Sequence, residues 1–238
     1  MLLSTHYVDI EINSKVELNM KVMITGANRG IGLAMAKQYA DAGHEIMAIC
    51  RESSDELEAI ASKVITGVDL TDDQAVSELT QTLKGSKIDV LINNAGLFKN
   101  ETLGQLDVDA IRDQFEVNAI APLKVTEALL PNLSEGSKVA NITSRMGSIE
   151  DNTSGAYYGY RASKAALNAF TMSLAQDLKP QGIAVCVLHP GFVQTRMVGF
   201  NGDITPDQAA SGLIERINQL SLENTGGFWH SNGSALPW

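Results

Sequence analysis

The sequence is poor in residues that define several classes of protein. Only two cysteines, Cys50 and Cys186, occur in 238 residues. Both fall in apolar runs where a free thiol packs as a small hydrophobic group, so we expect no disulfide framework. The four histidines are scattered without the spacing of metal ligands, and we expect no metal site. No apolar run approaches the roughly 20 residues of a bilayer span, so we expect no membrane association.

Basic residues are also scarce. Lys and Arg number 18 against 28 Asp and Glu, giving a formal net charge of -10, and this balance disfavours nucleic acid as a partner. Residues 1–19 lack the patterns of a secretion signal or transit peptide, so we predict a cytoplasmic protein. They are interpreted as an N-terminal extension of uncertain role. No linker divides residues 20–238, which are predicted to form one domain.

Short apolar runs alternate with helical patterns from residue 20 onward. Strands are predicted from residue 22 and over 45–50, 63–67, 88–92, 138–142 and 184–188. Helices are predicted up to Gly43, over 53–62, after Thr71 as N-cap, over 107–130 and 156–178, and from Thr205-Pro206 to Leu220. This alternation predicts the α/β class: a single-domain, Rossmann-type, doubly wound parallel sheet of about seven strands with helices on both faces.

A glycine-rich turn follows the first strand. Gly26, Gly30 and Gly32 stand where a Cβ would block a tight turn, the approach of a pyrophosphate or the packing of the next helix. The free N–H groups at that helix start favour phosphate binding. Three glycines alone are also consistent with a plain turn. Further strand ends carry Asp69, the segment 93–96, Ser144 and the segment 190–191, and in this fold those ends border the ligand crevice.

Tyr160 and Lys164 are four residues apart on a predicted helix, which places their side chains on one face. An ammonium beside a phenol favours the phenolate, so we expect a lowered pKa for Tyr160 and proton exchange with a carbonyl or alcohol oxygen. A pair of this kind alone is also consistent with a solvated helix face.

In combination these motifs resemble the classical short-chain dehydrogenase/reductase family from Lys21 onward. The loop 25–32, Asn93-Asn94-Ala95-Gly96, Ser144 and Tyr160-Arg-Ala-Ser-Lys164 carry the resemblance. The segments 48–51 and 226–238 are similar to the C-factor-like branch. The segment 145–159 is longer than expected between the catalytic Ser and Tyr, so its loop is expected to shape the substrate pocket differently.

The resemblance implies a catalytic set of Asn118, Ser144, Tyr160 and Lys164. Ser144 would polarise the substrate carbonyl, Tyr160 would transfer the proton, Lys164 would tune Tyr160 and hold the nicotinamide ribose, and Asn118 would position a relay water. Thr143, Ser148, Tyr157 and Tyr158 do not match the motif and are interpreted as structural. The implied cofactor-binding residues are Gly26, Asn28, Arg29, Gly30, Ile31, Gly32, Arg51, Asp69, Asn93, Ala95, Gly96, Tyr160, Lys164, Pro190, Gly191, Val193 and Thr195.

The end of the second strand bears on which cofactor binds. An NAD enzyme usually offers an acid to the ribose there, whereas this chain has Cys50 followed by Arg51, with Arg29 in the glycine loop. Two guanidiniums suit a 2'-phosphate, so NADP(H) is favoured. Glu52 keeps NAD(H) as the alternative, because a register shift of two residues would bring an acid to the ribose.

The sequence therefore predicts an oxidoreductase of the carbonyl reductase type, which transfers a hydride between NADP(H) and a carbonyl or alcohol substrate. The alternative is a dinucleotide-binding regulatory or signalling protein with little turnover. The resemblance also implies a homodimer or homotetramer paired through the helices that carry Asn118 and Tyr160. Apolar residues are expected to rim a fairly open substrate site: Phe98, Met146, Phe192, Met197 and Phe200.

Overall fold

A computed structural model describes residues 19–238, so the expected N-terminal extension lies outside the described residues apart from residue 19. Seven parallel strands form one sheet in the order β3-β2-β1-β4-β5-β6-β7. They are β1 Lys21–Thr25, β2 Glu45–Ile49, β3 Lys63–Ile65, β4 Val90–Asn93, β5 Lys138–Ile142, β6 Ala184–His189 and β7 Phe228–His230. The predicted doubly wound fold is confirmed.

Helices connect the strands. They are α1 Gly30–Asp41, α2 Asp55–Glu58, α3 Asp73–Thr82, α4 Val108–Phe115, α5 Ala121–Leu129, α6 Tyr158–Leu178 and α7 Pro206–Gln219. No helix within residues 19–238 is long and apolar enough to cross a membrane.

The core has two layers, one on each face of the sheet. Alternate residues of β1 supply them: Val22 packs in the layer that also holds Leu213 of α7, and Met23 packs in the layer that holds Leu129 of α5. Because successive side chains of a strand point to opposite faces, a strand covered on both sides must be apolar throughout. This explains why the continuous apolar runs predicted the sheet.

The predicted N-cap of the third helix is wrong by one residue. The Asp72 carboxylate accepts hydrogen bonds from the N–H groups of Gln74, at 2.8 Å, and Ala75, at 3.4 Å. Thr71 instead donates its hydroxyl to Asp69, at 2.8 Å. Either residue type caps a helix well, and the carboxylate next in the chain takes the position.

Two departures from the predicted helices lie next to the expected site. The region 107–130 contains a π-helical turn, Glu116–Ile120, between α4 and α5. Pro122 has no N–H to donate to the carbonyl of Asn118 four residues earlier, so an ordinary α-helical bond cannot close there. In addition, α6 begins at Tyr158 rather than 156, because Ala156 and Tyr157 adopt left-handed conformations with φ of 52° and 55°.

Candidate active site

The glycine-rich loop packs closely against the end of β4 because its glycines lack side chains. A Cβ on Gly32 would lie 2.5 Å from Asn94 Nδ2 and 2.5 Å from the Gly26 oxygen. The Asn94 amide in turn donates to the main-chain oxygens of Thr25, at 3.0 Å, and Gly26, at 3.1 Å. The loop is thus held tightly against the end of β4.

The first turn of α1 presents its N–H groups without a competing side chain. Arg29 occupies the N-cap position and makes no side-chain cap bond, and the first turn contains no acidic residue. By contrast, Asp72, Asp107 and Thr205 cap α3, α4 and α7 with their side chains. Free N–H groups and the positive end of the helix dipole suit a phosphate group. The loop therefore fits the pyrophosphate of a dinucleotide.

The segment after β6 closes the opposite side of this loop. A Cβ on Gly30 would lie 3.6 Å from the Thr195 methyl group, and one on Gly191 would lie 3.1 Å from Ile204 Cδ1. Val193 is buried and pairs with Ile204 through a β-bridge. The buried Pro190 accepts a hydrogen bond on its main-chain oxygen from Ser231, at 2.9 Å. This segment and the glycine loop therefore border one crevice.

The side chain of Asn93 points into the protein. It is 2% exposed, and its amide donates to Asn141 Oδ1 at 2.8 Å and to Thr126 Oγ1 at 3.1 Å. Asn141 donates to Thr171 Oγ1 of α6, also at 2.8 Å. Asn93 thus ties β4 to β5 and the helices. Ala95 and Gly96 stand at the crevice, since Ala95 lies against Gly26 and Gly96 lies beside Asn118.

The end of β2 has a fixed register. The Gly26 N–H donates to the Ile49 carbonyl oxygen at 2.8 Å, Cys50 is buried, and Arg51 and Glu52 are exposed. Neither Arg29 nor Arg51 forms an ion pair with another described residue. Hydrogen bonds from Thr71 lower the pKa of the Asp69 carboxyl, and Arg51 contributes to the shift. Arg51 and Asp69 therefore lie near each other at this end.

Asn28 and Ile31 complete the first loop. Both are half-buried, and Ile31 packs against the core layer of α1. The loop is thereby anchored in the core on one side and open to the crevice on the other.

Ser144 and Tyr160 meet at the centre of the crevice. Ser144 follows β5 and is 7% exposed, and its hydroxyl accepts a hydrogen bond from the Met146 N–H at 3.1 Å. The Tyr160 hydroxyl lies close enough to Ser144 for that side chain to act on its pKa. The Tyr160 ring packs edge-on against Phe98, with 4.9 Å between ring centres. The two hydroxyl groups are thus neighbours in the crevice.

The expected lowering of the Tyr160 pKa is not found. Burial raises the pKa of Tyr160 to about 12, against a smaller opposite effect from Ser144. Burial also lowers the pKa of Lys164 to about 7. Lys164 Nζ donates to the Ile142 carbonyl oxygen at 2.8 Å and lies 5.9 Å from the centre of the Tyr160 ring. Removal from water disfavours both charges, and this outweighs the attraction that the spacing predicted.

Asn118 is fully buried in the π-helical turn. Its Oδ1 accepts from the Leu97 N–H at 2.7 Å, and its Nδ2 donates to the Leu97 oxygen at 2.7 Å and to Ser163 Oγ at 3.1 Å. Both amide hydrogens are therefore used within the protein. The side chain fastens the segment after β4 to α6, and a π-turn is a frequent device for aiming a residue at a functional site.

The long loop 145–159 is anchored at the far end of the chain. The Trp238 carbonyl oxygen accepts from Ser148 Oγ at 3.0 Å and from the N–H groups of Ile149 and Glu150 at 3.1 and 3.0 Å. Arg145 and Asp151 form an ion pair across the loop. Ser148 is thus structural, as expected, and the loop has a defined position beside Ser144.

Several apolar side chains near the site are exposed. In the segment after β6, Phe192 is 49% exposed, Met197 44% and Phe200 69%, and in the loop 145–159 Ile149 is 83% exposed. The segment 192–204 folds onto itself, with Asp203 and Gln194 N–H groups bonded across it. It forms a compact rim with an apolar surface.

Two residues of this region escape prediction from the sequence. Glu101 and Gln114 are 1% and 0% exposed and hydrogen-bond to each other beside the start of α6. Neither belongs to a motif, and a lone acid in a polar segment carries no signal that it will be buried.

The chain is similar to proteins of one family. The family described as short chain dehydrogenase matches residues 20–204. A 1-hydroxy-2-glutathionyl-2-methyl-3-butene dehydrogenase of Rhodococcus sp. (strain AD45) is 42% identical over 223 residues, 91% of this chain and 99% of that protein. The C-signal protein of Myxococcus xanthus is 43% identical over 154 residues, 63% of this chain and 93% of that protein. The crystal structure of NADPH-bound carbonyl reductase from chicken fatty liver has a TM-score of 0.82 and 30% identity, covering 93% of this chain and all of that one.

Proposed function

The chain belongs to the short-chain dehydrogenase/reductase family, and on that premise we propose that it is an NADP(H)-dependent carbonyl reductase with Tyr160 as proton donor. The observation that carries the proposal is the convergence of Ser144, Tyr160 and the buried Lys164, whose Nζ lies 5.9 Å from the centre of the Tyr160 ring. NADP(H) is favoured over NAD(H) because two exposed guanidiniums are available, that of Arg29 at the start of α1 and that of Arg51 after β2.

The glycine loop, the open N-terminus of α1 and the segment 190–195 would hold the cofactor. When bound, the nicotinamide supplies the hydride, and the protein supplies binding and orientation. Thr195 and Gly30 approach from opposite sides, so the two segments can enclose the ligand between them. Asp69 would contact the adenine.

Ser144 and Tyr160 would act on the substrate oxygen. The Ser144 hydroxyl donates a hydrogen bond to the carbonyl oxygen and stabilises the negative charge that develops there. Tyr160 then gives its proton to that oxygen. A phenol with a pKa of about 12 stays protonated at neutral pH, which suits the donor required for reduction.

Lys164 and Asn118 would assist this proton transfer without contacting the substrate oxygen. Lys164 is held by the Ile142 oxygen, 2.8 Å away. With a pKa of about 7, it can exchange a proton near neutral pH and so help to replace the one that Tyr160 gives up. Asn118 fixes Ser163, the residue before Lys164, and thereby the turn of α6 that carries the lysine.

The substrate is proposed to be an apolar carbonyl compound or the corresponding alcohol. Phe192, Met197, Phe200 and Ile149 supply exposed apolar area at the mouth. The compact rim would leave the site open to compounds of varied size.

We also propose that the protein forms a homodimer or homotetramer and that it is cytoplasmic. Light scattering would test the oligomeric state, and cell fractionation would test the location.

The proposal is tested by NADPH oxidation with a panel of apolar aldehydes, ketones and diketones, together with glutathione conjugates that carry a carbonyl group. We expect NADPH loss to match alcohol formation mole for mole with at least one apolar member. Tight NADPH binding without turnover on any member would favour the regulatory alternative instead.

A further inference from the structure

A buried carboxylate lies directly behind the start of α6. Glu101 is 1% exposed and belongs to the segment between β4 and α4. Its Oε2 accepts a hydrogen bond from the Gly159 N–H at 3.1 Å, and its main-chain oxygen accepts from the Tyr157 N–H at 2.8 Å. The residue after Gly159 is Tyr160. Glu101 therefore holds the backbone on both sides of the helix start next to the proposed proton donor.

That helix start has a backbone conformation that needs an external support. Ala156 and Tyr157 have φ of 52° and 55°, in the left-handed region that residues with a Cβ rarely adopt in succession. The side chain of Tyr157, at the N-cap position, makes no cap bond. Glu101 replaces the missing cap from a distant part of the sequence, and its negative charge suits the N-terminus of a helix.

Gln114 of α4 fixes Glu101 in turn. Its Nε2 donates to Glu101 Oε1 at 2.5 Å and to the Ala110 oxygen at 3.2 Å, while its Oε1 accepts from the Lys99 N–H at 2.8 Å. A buried carboxylate is costly unless its oxygens are paired. Here both are paired, so the carboxylate is a rigid link between α4 and α6.

The residues around Glu101 are closely packed against the start of α6. A Cβ on Gly159 would lie 2.9 Å from Ile111 Cα and 2.5 Å from Gln114 Nε2. Phe98, three residues before Glu101, packs against the rings of Tyr160 and Tyr157, with centres 4.9 and 5.6 Å away. The segment 98–101 thus holds both the ring and the backbone of Tyr160.

We propose that Glu101 is a positioning residue of this enzyme: its buried carboxylate, held by Gln114, sets the start of α6 and thereby the place of the Tyr160 hydroxyl. The expected effect on turnover rests on the proposed function. The effect on the start of α6 follows from the hydrogen bonds to Gly159 and Tyr157 alone.

Glu101→Gln tests the link with little change of shape. An amide at position 101 can still accept from Gly159, but its NH2 group then faces the NH2 group of Gln114. The double variant Glu101→Gln/Gln114→Glu exchanges the two groups, restores that bond and keeps the acceptor for Lys99, but it loses the donor to the Ala110 oxygen. Glu127→Gln, an exposed position on α5, is the matched control for the loss of one charge.

Two measurements distinguish a positioning role from a purely structural one in these variants. The first is amide hydrogen exchange of residues 157–164, which does not depend on turnover. The second is steady-state kinetics per NADPH-binding site, since a site count by NADPH titration removes the effect of unfolded protein. A residue that only stabilises the fold would leave kcat per site unchanged.

We expect Glu101→Gln to speed exchange at residues 157–164 and to lower kcat roughly tenfold to a hundredfold, because small misplacements of a catalytic group have effects of that size. The Kd for NADPH should stay within about twofold of that of the unmodified protein, and the double variant should regain part of kcat. Gln114→Asn has a shorter side chain that no longer reaches Glu101, while the Glu101 carboxylate is kept. It should lower kcat in the same way and replaces Glu101→Gln in the test if that variant does not fold.

Unchanged exchange and unchanged kcat per site in Glu101→Gln or Gln114→Asn would overturn the proposal. Faster exchange in Glu101→Gln, with a parent protein that turns over no carbonyl compound, would support the positioning role and count against the proposed function instead.

Discussion

Lys164 donates from Nζ to the Ile142 carbonyl oxygen, 2.8 Å away, and is 4% exposed. Burial lowers the pKa of this lysine from its ordinary value of 10.5 to about 7. Between these values the unfolded chain binds one proton more than the folded chain. The free energy of unfolding therefore rises with pH over that interval, by an amount on the order of 5 kcal/mol for the full shift.

Lys164→Met removes the titrating group and should flatten this rise. We expect chemical denaturation between pH 7 and 9.5 to give a clearly smaller slope of unfolding free energy against pH for Lys164→Met than for the parent protein. Lys84→Met, at an exposed position, should keep the parent slope. Identical slopes in all three proteins would show that Lys164 is protonated when folded.

Arg51 offers a test of cofactor selectivity. The parent protein should bind NADPH more tightly than NADH, and Arg51→Ala should erase the difference, with about a tenfold or greater loss of NADPH affinity and little change for NADH. Fluorescence titration of both cofactors measures it. Arg112→Ala on α4 is a control for loss of charge. Equal affinities in the parent protein would contradict the assignment to NADP(H).

Gly32 should not tolerate a side chain. In Gly32→Ala the new methyl group would meet Asn94 Nδ2 and the Gly26 oxygen at 2.5 Å, so the loop must move away from β4. We expect NADPH affinity to fall by at least tenfold in titrations. Gly85→Ala meets no atom within 4 Å but is strained by a φ of 76°, so it controls for a glycine replacement that costs stability outside the loop. Parent-like affinity in Gly32→Ala would refute the close-packed loop.

Ser148 links the loop 145–159 to Trp238. Its hydroxyl donates to the Trp238 oxygen at 3.0 Å and accepts from the Asp151 N–H at 3.1 Å. Ser148→Ala removes both hydrogen bonds and should destabilise the protein by about 1 kcal/mol, with a raised KM for the carbonyl substrate. Thermal melts and kinetics measure both effects. Thr153→Ala, at an exposed position of the same loop, should change neither, and a parent-like Ser148→Ala would show that this anchor is unimportant.

The sheet could be predicted closely because its strands are continuous apolar runs between turn residues. The run 138–142 is predicted to the residue, and Thr205-Pro206 starts α7 as its cap chemistry indicates. β7 was not located, because Phe228–His230 is a three-residue edge strand whose pairing with β6 depends on the folded sheet.

The sequence predicted those parts of the candidate site that depend on residues close together in the chain. It did not predict the parts that depend on contacts between distant segments. The motifs brought Ser144, Tyr160 and Lys164 together as expected. The direction of the Tyr160 pKa shift was wrong, because sequence spacing reveals a neighbouring charge but not the loss of water around it. The left-handed pair Ala156 and Tyr157, and the role of Glu101, depend on contacts with a segment more than 50 positions away in the chain.

The central claim is that Tyr160 gives a proton to a carbonyl oxygen reduced with NADPH. The most direct measurement compares kcat of the parent protein and Tyr160→Phe on the best carbonyl substrate, with NADPH affinity measured in both. The account predicts a loss of about 10² to 10⁴-fold in kcat with NADPH affinity nearly unchanged. Parent-like turnover by Tyr160→Phe, with NADPH still bound, would contradict it.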